Sequence, residues 1–252
     1  MTLDPQSPPA LHIAQVYRAY ASLVQSAQSP QGLTDLATLG GQLLYTGELN
    51  PAASNLIRAA NIAGAASLAC SANADRLRQA LHQGAIDFLV NSLDEALRIL
   101  KNEIRKRQPV AAAVSAPPEI ITQELLERGV LPNLLPPDSS QEFAAFIAQG
   151  ARPLPHASPQ PGPRPQPDTP HLDAQPDLAL CIWPIPTAYA NRPADFEAIL
   201  LAHLPPDQKA AQRWLHLSGR YLEPAARRYR SIPIDQQTQE KLTAKFGPPL
   251  QA

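Results

Sequence analysis

The sequence predicts a three-layer α/β fold, a mostly parallel sheet with helices on both faces and further helices flanking it at the N- and C-terminal ends. Three observations predict it. Short apolar runs alternate with helix-like segments from about residue 42 to residue 135. The connections are short and carry helix start and stop residues. Runs such as Val110-Ala111-Ala112-Ala113-Val114 are apolar throughout, as strands covered on both faces must be.

Residues 1–34 read as an N-terminal lead and a helix. Leu11, Val16, Ala19, Ala21, Leu23 and Val24 recur at helical spacing until Ser29-Pro30 and Gly32 stop the helix. Residues 35–150 make the α/β unit. Its first strand is Gln42 to Thr46, followed by Gly47. Asn50 is an N-cap, Pro51 suits the first helical turn, and Gly64 ends the helix after Ala63. Ala65 to Cys70 is the second strand, 73–83 a short helix, and Phe88-Leu89-Val90 a third, extended piece. Ser92 and Glu95 have the spacing of a capping box for a helix running to about Arg107. Lys101, Arg105, Lys106 and Arg107 suit the negative end of its dipole. Val110 to Val114 is the fourth strand. Pro117-Pro118-Glu119 opens a helix that closes at Arg128-Gly129, and Asn133-Leu134-Leu135 is the next strand.

Residues 151–177 read as a Pro-rich linker. The stretch 152–176 holds nine prolines and one glycine, so an extended tether is expected rather than a ladder or a helix. Docking of a proline-recognition domain is the functional alternative. Residues 178–252 are read as a mainly helical segment packing on the core, with a strand at Leu178 to Trp183 and helices at 193–203, 206–217 and 235–246.

Composition narrows the function. Net charge is -1 and aromatics are 5%, which argues against a nucleic-acid partner. No apolar run approaches the ~20 residues of a membrane span, and the first residues lack the basic and apolar regions of a secretory signal. A cytoplasmic protein with reduced thiols is expected. Cys70 and Cys181 lie in apolar strand contexts, the usual setting of inert thiols. The six histidines, His12, His82, His156, His171, His203 and His216, are dispersed and make no metal or triad pattern. Asp94-Glu95 reads as helix capping, and Arg227-Arg228-Tyr229-Arg230 as a solvated helix end.

Several segments between about Gly41 and Asn133 resemble one family in order. They are Gln42 to Gly47, Ala59 to Leu68, Asp75-Arg76-Leu77, Asn91 to Leu97, and Glu124-Leu125-Leu126-Glu127-Arg128-Gly129-Val130-Leu131-Pro132. Together they resemble the Rossmann-like NAD-binding domain of urocanase (urocanate hydratase). Weaker similarity returns at His203 to Asp207, Arg213-Trp214-Leu215 and Pro224 to Arg227. The resemblance implies an NAD site at the carboxyl ends of the strands, held by Thr46, Gly47, Asn50, Ser71 and Ser115.

The departures fall at that site. The family's glycine-rich loop is here Gly47-Glu48-Leu49-Asn50-Pro51-Ala52-Ala53. Glycines let backbone N–H groups close on a pyrophosphate at a helix N-terminus, whereas Pro51 removes a donor and Glu48 adds negative charge. Ser71 stands where the family carries an acidic residue for the ribose hydroxyls. Ser115-Ala116-Pro117 replaces the family's Gly-Asn-Ala, and Pro136-Pro137-Asp138-Ser139-Ser140-Gln141 replaces its TDQTSAHDP stretch. The family's catalytic core has no counterpart among these residues. The expectation is a non-catalytic urocanase-like protein, with no catalytic residue, no metal and no resident cofactor, binding a partner or an unidentified small ligand. The alternatives are an NAD-binding hydratase of the urocanate hydratase type, or a subunit of one, and an adaptor working through the proline segment.

Overall fold

The computed structural model describes residues 8–28, 38–137, 141–155 and 178–251. His156, His171 and nearly all of the Pro-rich linker lie outside the described residues. The α/β unit is built as β1 (Leu43–Glu48), α2 (Pro51–Ala63), β2 (Ala66–Cys70), α3 (Ala74–His82), β3 (Phe88–Val90), α4 (Leu93–Lys106), β4 (Ala111–Val114), α5 (Pro118–Glu127) and β5 (Leu134–Leu135). It is preceded by α1 (Pro8–Gln28) and extended by α6 (Ala144–Ala148) and β6 (Arg152–Pro153). The six strands lie in the order β3-β4-β2-β1-β5-β6, all parallel. The predicted Rossmann-like α/β fold is the fold of the molecule.

Local chemistry sets the boundaries. Asn50 Oδ1 accepts the Ala53 N–H at 2.8 Å, Pro51 occupies the first turn of α2, and Gly64 closes it in the left-handed region. Ser92 Oγ accepts the Glu95 N–H at the start of α4, while Glu95 returns a bond to the Asn91 N–H. Asn133 Oδ1 accepts the Leu43 N–H at 2.8 Å and ties the start of β1 to the residue preceding β5.

Alternate side chains of each strand enter different layers, as the two-residue period demands. Leu43 and Tyr45, with Leu68, Ala112 and Val114, pack under α4, α5 and α6. Ala69, Ala111 and Ala113 meet α2 and α3 through Ile57, Leu77 and Ala80. Leu44 and Leu134 belong to a third cluster, in which α1 crosses α2.

The expected linker begins later than the sequence predicts. Arg152 and Pro153 form β6, with the Arg152 N–H on Asn133 O at 3.0 Å and the Leu154 N–H on Leu135 O at 2.9 Å. Pro153 is tolerated because β6 is an edge strand and the donors lie on the residues either side of it.

The C-terminal segment contains β7 (Ala179–Pro184), α7 (Pro193–Leu201), α8 (Lys209–Tyr221), β8 (Tyr229–Ile234), α9 (Gln236–Phe246) and β9 (Leu250–Gln251). Its strands make an antiparallel sheet in the order β8-β7-β9, and β8 and β9 were not foreseen. Ser231-Ile232-Pro233-Ile234 is a short apolar run following charge, easily missed beside the arginines. The reading of 227–230 as a solvated helix end is corrected at Arg230. This residue is buried in β8, and its Nε donates to Glu197 Oε1 at 2.6 Å.

The segment is fastened to α1 and α2. Trp214 is fully buried against Tyr17 and Tyr20 of α1, with ring centroids 5.0 and 5.4 Å away. Tyr20 Oη donates to Ala210 O at 2.9 Å, and Arg213 Nε donates to Ile62 O near the end of α2. Arg58, on α2, has no exposed surface. It donates to Tyr221 O at 2.6 Å, Gln83 O at 3.0 Å and Gly84 O at 3.4 Å. Desolvation pushes its guanidinium down to about 10, partly opposed by Glu223.

His12 sits beside this clasp. Its Nε2 accepts the Glu223 N–H at 3.4 Å, which requires the neutral ring. Burial lowers its pKa from 6.5; the Glu223 carboxylate opposes that shift and Arg58 adds to it. The unfolded chain therefore takes up the proton first. Stability is expected to fall as pH drops below 6.5 and to level off once the folded form is also protonated. Urea midpoints at about pH 7.5 and about pH 5.5 test this, and His12→Gln should flatten the difference.

Candidate functional site

The site is built at the carboxyl ends of β1 and β5. The chain leaves β1 through α2 towards β2 on one side, and returns through α5 to β5 on the other. That reversal is the topological switch point at which open α/β sheets bind ligands. A cleft of ≈ 730 Å³ lies there, between α1, the first turn of α2, and residues of the 136–143 stretch. Gln15, Arg18 and Ser22 line it from α1, Thr46 from β1, Asn50 from the cap of α2, and Glu142 and Phe143 from the two residues before α6.

Five residues were expected to mark the site, and the structure brings only some of them together. Thr46 lines the cleft, buried, with its hydroxyl 3.4 Å from Leu68 O. Asn50 lines it too, with its Oδ1 taken by capping α2. Gly47 has φ +65°, and a Cβ placed there would stand 2.9 Å from Phe143 Cζ and 3.0 Å from Glu142 Oε1. The close approach that this glycine permits is thus taken up by an aromatic ring of the same chain.

Ser71 is fully buried and turned inward. It donates to Glu48 Oε1 at 2.7 Å and accepts the Asn73 N–H at 3.1 Å. Glu48 also pairs with Arg76. Ser115 is exposed after β4, on the far side of β2 from the cleft, and its backbone N–H bonds Val90 O.

The first turn of α2 offers few donors. Pro51 has none, Ala53 is capped by Asn50, and the Ser54 N–H is bonded to Asn50 O. The Ala52 N–H is the only amide of that turn without a hydrogen-bond partner among the described residues.

The neighbouring ionisable groups are quiet. Burial pushes the Cys70 thiol up to about 12, and its Sγ points at Gly47 O, 3.4 Å away. Cys181, in the second sheet, is pushed up to about 11 by burial. Neither is a thiolate at neutral pH, so both are expected to resist iodoacetamide until the chain unfolds, as intact-mass measurement with and without urea would read. Glu142 is raised by burial and then by Glu119. Among the described residues no group of three or more His, Cys, Asp or Glu is placed to hold a metal ion, and no helix is long and apolar enough to cross a membrane.

The family model described as the urocanase Rossmann-like domain matches residues 19–145, half of the chain. The chain belongs to the urocanase family. The match covers β1 through the start of α6 and takes in most of the cleft. It begins within α1, so Gln15 and Arg18 fall outside the urocanase match while Ser22 falls inside it.

The α1 wall and Phe143 were missed in the sequence. A signal for the first existed, since Gln15, Arg18 and Ser22 are polar at helical spacing on a helix whose Ile13, Val16, Tyr20 and Leu23 are buried. For Phe143 there was none, because nothing local says which glycine an aromatic ring will cover.

Proposed function

We propose that this urocanase-family chain is a non-catalytic Rossmann-domain protein that binds a partner or a small ligand, rather than NAD, at the cleft beside α2. The seating of the Phe143 ring against Gly47 carries the reading. A dinucleotide needs its pyrophosphate against the backbone at this glycine and the helix beyond it, and there the ring and the Asn50 cap stand in its way.

Two further features support it. The Glu48 carboxylate that follows Gly47 is held by Ser71 and Arg76, so the end of β1 is tied into the protein's own network. Ser71 has both its donor and its acceptor engaged within the protein. The near-neutral charge of the chain offers no basic footprint for nucleic acid or an anionic membrane surface, and a cytoplasmic setting is part of the proposal.

The test is calorimetric titration with NAD, paired with mass spectrometry of small molecules released on denaturation. No saturable heat and no stoichiometric NAD are expected. Stoichiometric NAD would overturn the proposal and favour the alternative, an NAD-binding hydratase or a subunit of one.

A further inference from the structure

We propose that the cleft takes a small organic anion, an oxyanion head on an apolar body, with the head held by Arg18 and Ser22 of α1 and by the first turn of α2. This rests on the reading of the cleft as a binding site and adds the chemistry of its occupant.

Ser22 is the decisive residue. It is 6% exposed and lines the cleft, yet its hydroxyl has no hydrogen-bond partner among the described residues. Its Oγ is not among the sealed, unpartnered polar atoms of the described residues, so it opens onto the cleft and is free to donate to a group that enters. Four residues earlier on the same helix face, Arg18 lines the cleft with no carboxylate in ion-pair range among the described residues. Gln15, the third polar residue of this face, accepts the Asn55 Nδ2–H through its Oε1 at 3.0 Å and, being uncharged, cannot neutralise a head group.

Opposite α1, the start of α2 brings its partial positive charge and the unpartnered Ala52 N–H. The guanidinium and the helix-end amide only donate and the hydroxyl can donate as well, so together they favour an acceptor-only group bearing negative charge. A single oxyanion uses them; a pyrophosphate needs more amides than this turn retains.

The rest of the cleft suits an apolar body. Ala19, Leu56, Phe143 and Leu154 line it. Glu142 lies on the wall beside Gly47 and repels an anionic head, which fixes the head at the α1–α2 end.

The experiment is a titration of the ¹⁵N-labelled full chain with four probes of similar body: benzoate, phenyl phosphate, benzamide and benzylamine. Benzoate, phenyl phosphate or both are expected to shift the Ala52 and Ser22 amides, and the comparison between them separates a carboxylate head from a phosphate head. Benzamide and benzylamine are expected to leave these amides in place. Arg18→Gln should weaken anion binding about tenfold, in line with loss of one charge-assisted contact, and Ser22→Ala should weaken it less. Arg18 is exposed, so the unchanged remainder of the spectrum reports that the variant is folded.

If benzamide or benzylamine moves Ala52 as strongly as the anions do, or Arg18→Gln binds as before, the anion assignment is overturned while the cleft stands as a binding site. Silence of Ala52 and Ser22 with all four probes overturns the inference as well. NAD binding, measured separately, bears on the reading of the site and not on this assignment.

Discussion

Replacing Arg58 by methionine is expected to lower stability by about 3 kcal/mol, the loss typical of breaking a buried charged network. The guanidinium is fully enclosed and donates to three carbonyls from two separated parts of the chain, Gln83 and Gly84 on one side and Tyr221 on the other. Methionine fills much of the volume and offers no donor, so the carbonyls stay buried without partners. The Glu223 carboxylate, 3.9 Å away, loses its cation as well. Urea unfolding followed by circular dichroism reads the change as a lower midpoint. A cost under about 1 kcal/mol would mean that water or a relaxed α8 end satisfies these carbonyls.

Gly47→Ala is expected to cost about 2–3 kcal/mol, from the left-handed backbone and from the clash with Phe143 together. The φ of +65° alone disfavours a side chain, and the Cβ would stand 2.9 Å from the ring. Phe143→Ala costs about 3–4 kcal/mol by itself, because the ring is buried among Tyr45 and Phe146. The double variant should fall short of the sum by about 1 kcal/mol, since the ring that the new methyl strikes is then gone. Strict additivity would show that Gly47 is needed for its backbone only and that the ring does not hold the loop.

The frame of the molecule was legible, and the reasons are local. Asn50, Pro51 and Gly64 bracket α2 by capping chemistry that acts within a few residues, and the apolar runs at 65–70 and 110–114 declare strands covered on both faces. Pairings decided at long range were not legible. β6 was hidden inside a proline run, because an edge strand can place Pro153 where no donor is needed. β8 was hidden behind Arg227, Arg228 and Arg230, whose charge suggested solvent; Arg230 is instead buried against Glu197, a partner 33 residues away. At the site, the loss of the glycine-rich loop could be read from Glu48 and Pro51. The ring over Gly47 and the α1 wall could not, since both come from elements distant in sequence from the loop they complete.

The clasp between α2 and the C-terminal segment also bears on how the chain acquires its shape. Arg58 and Tyr221 are 163 residues apart, Tyr20 and Ala210 190, and His12 and Glu223 211. Closing such loops is slow, and contacts of this separation form late. During synthesis, α1 and α2 leave the ribosome well before Trp214 exists to cover them, and at ~5–20 residues per second the delay is on the order of ten seconds or more. For that interval Tyr17, Tyr20 and the outer face of α2 are bare apolar surface. That surface is covered only once the final quarter of the chain emerges.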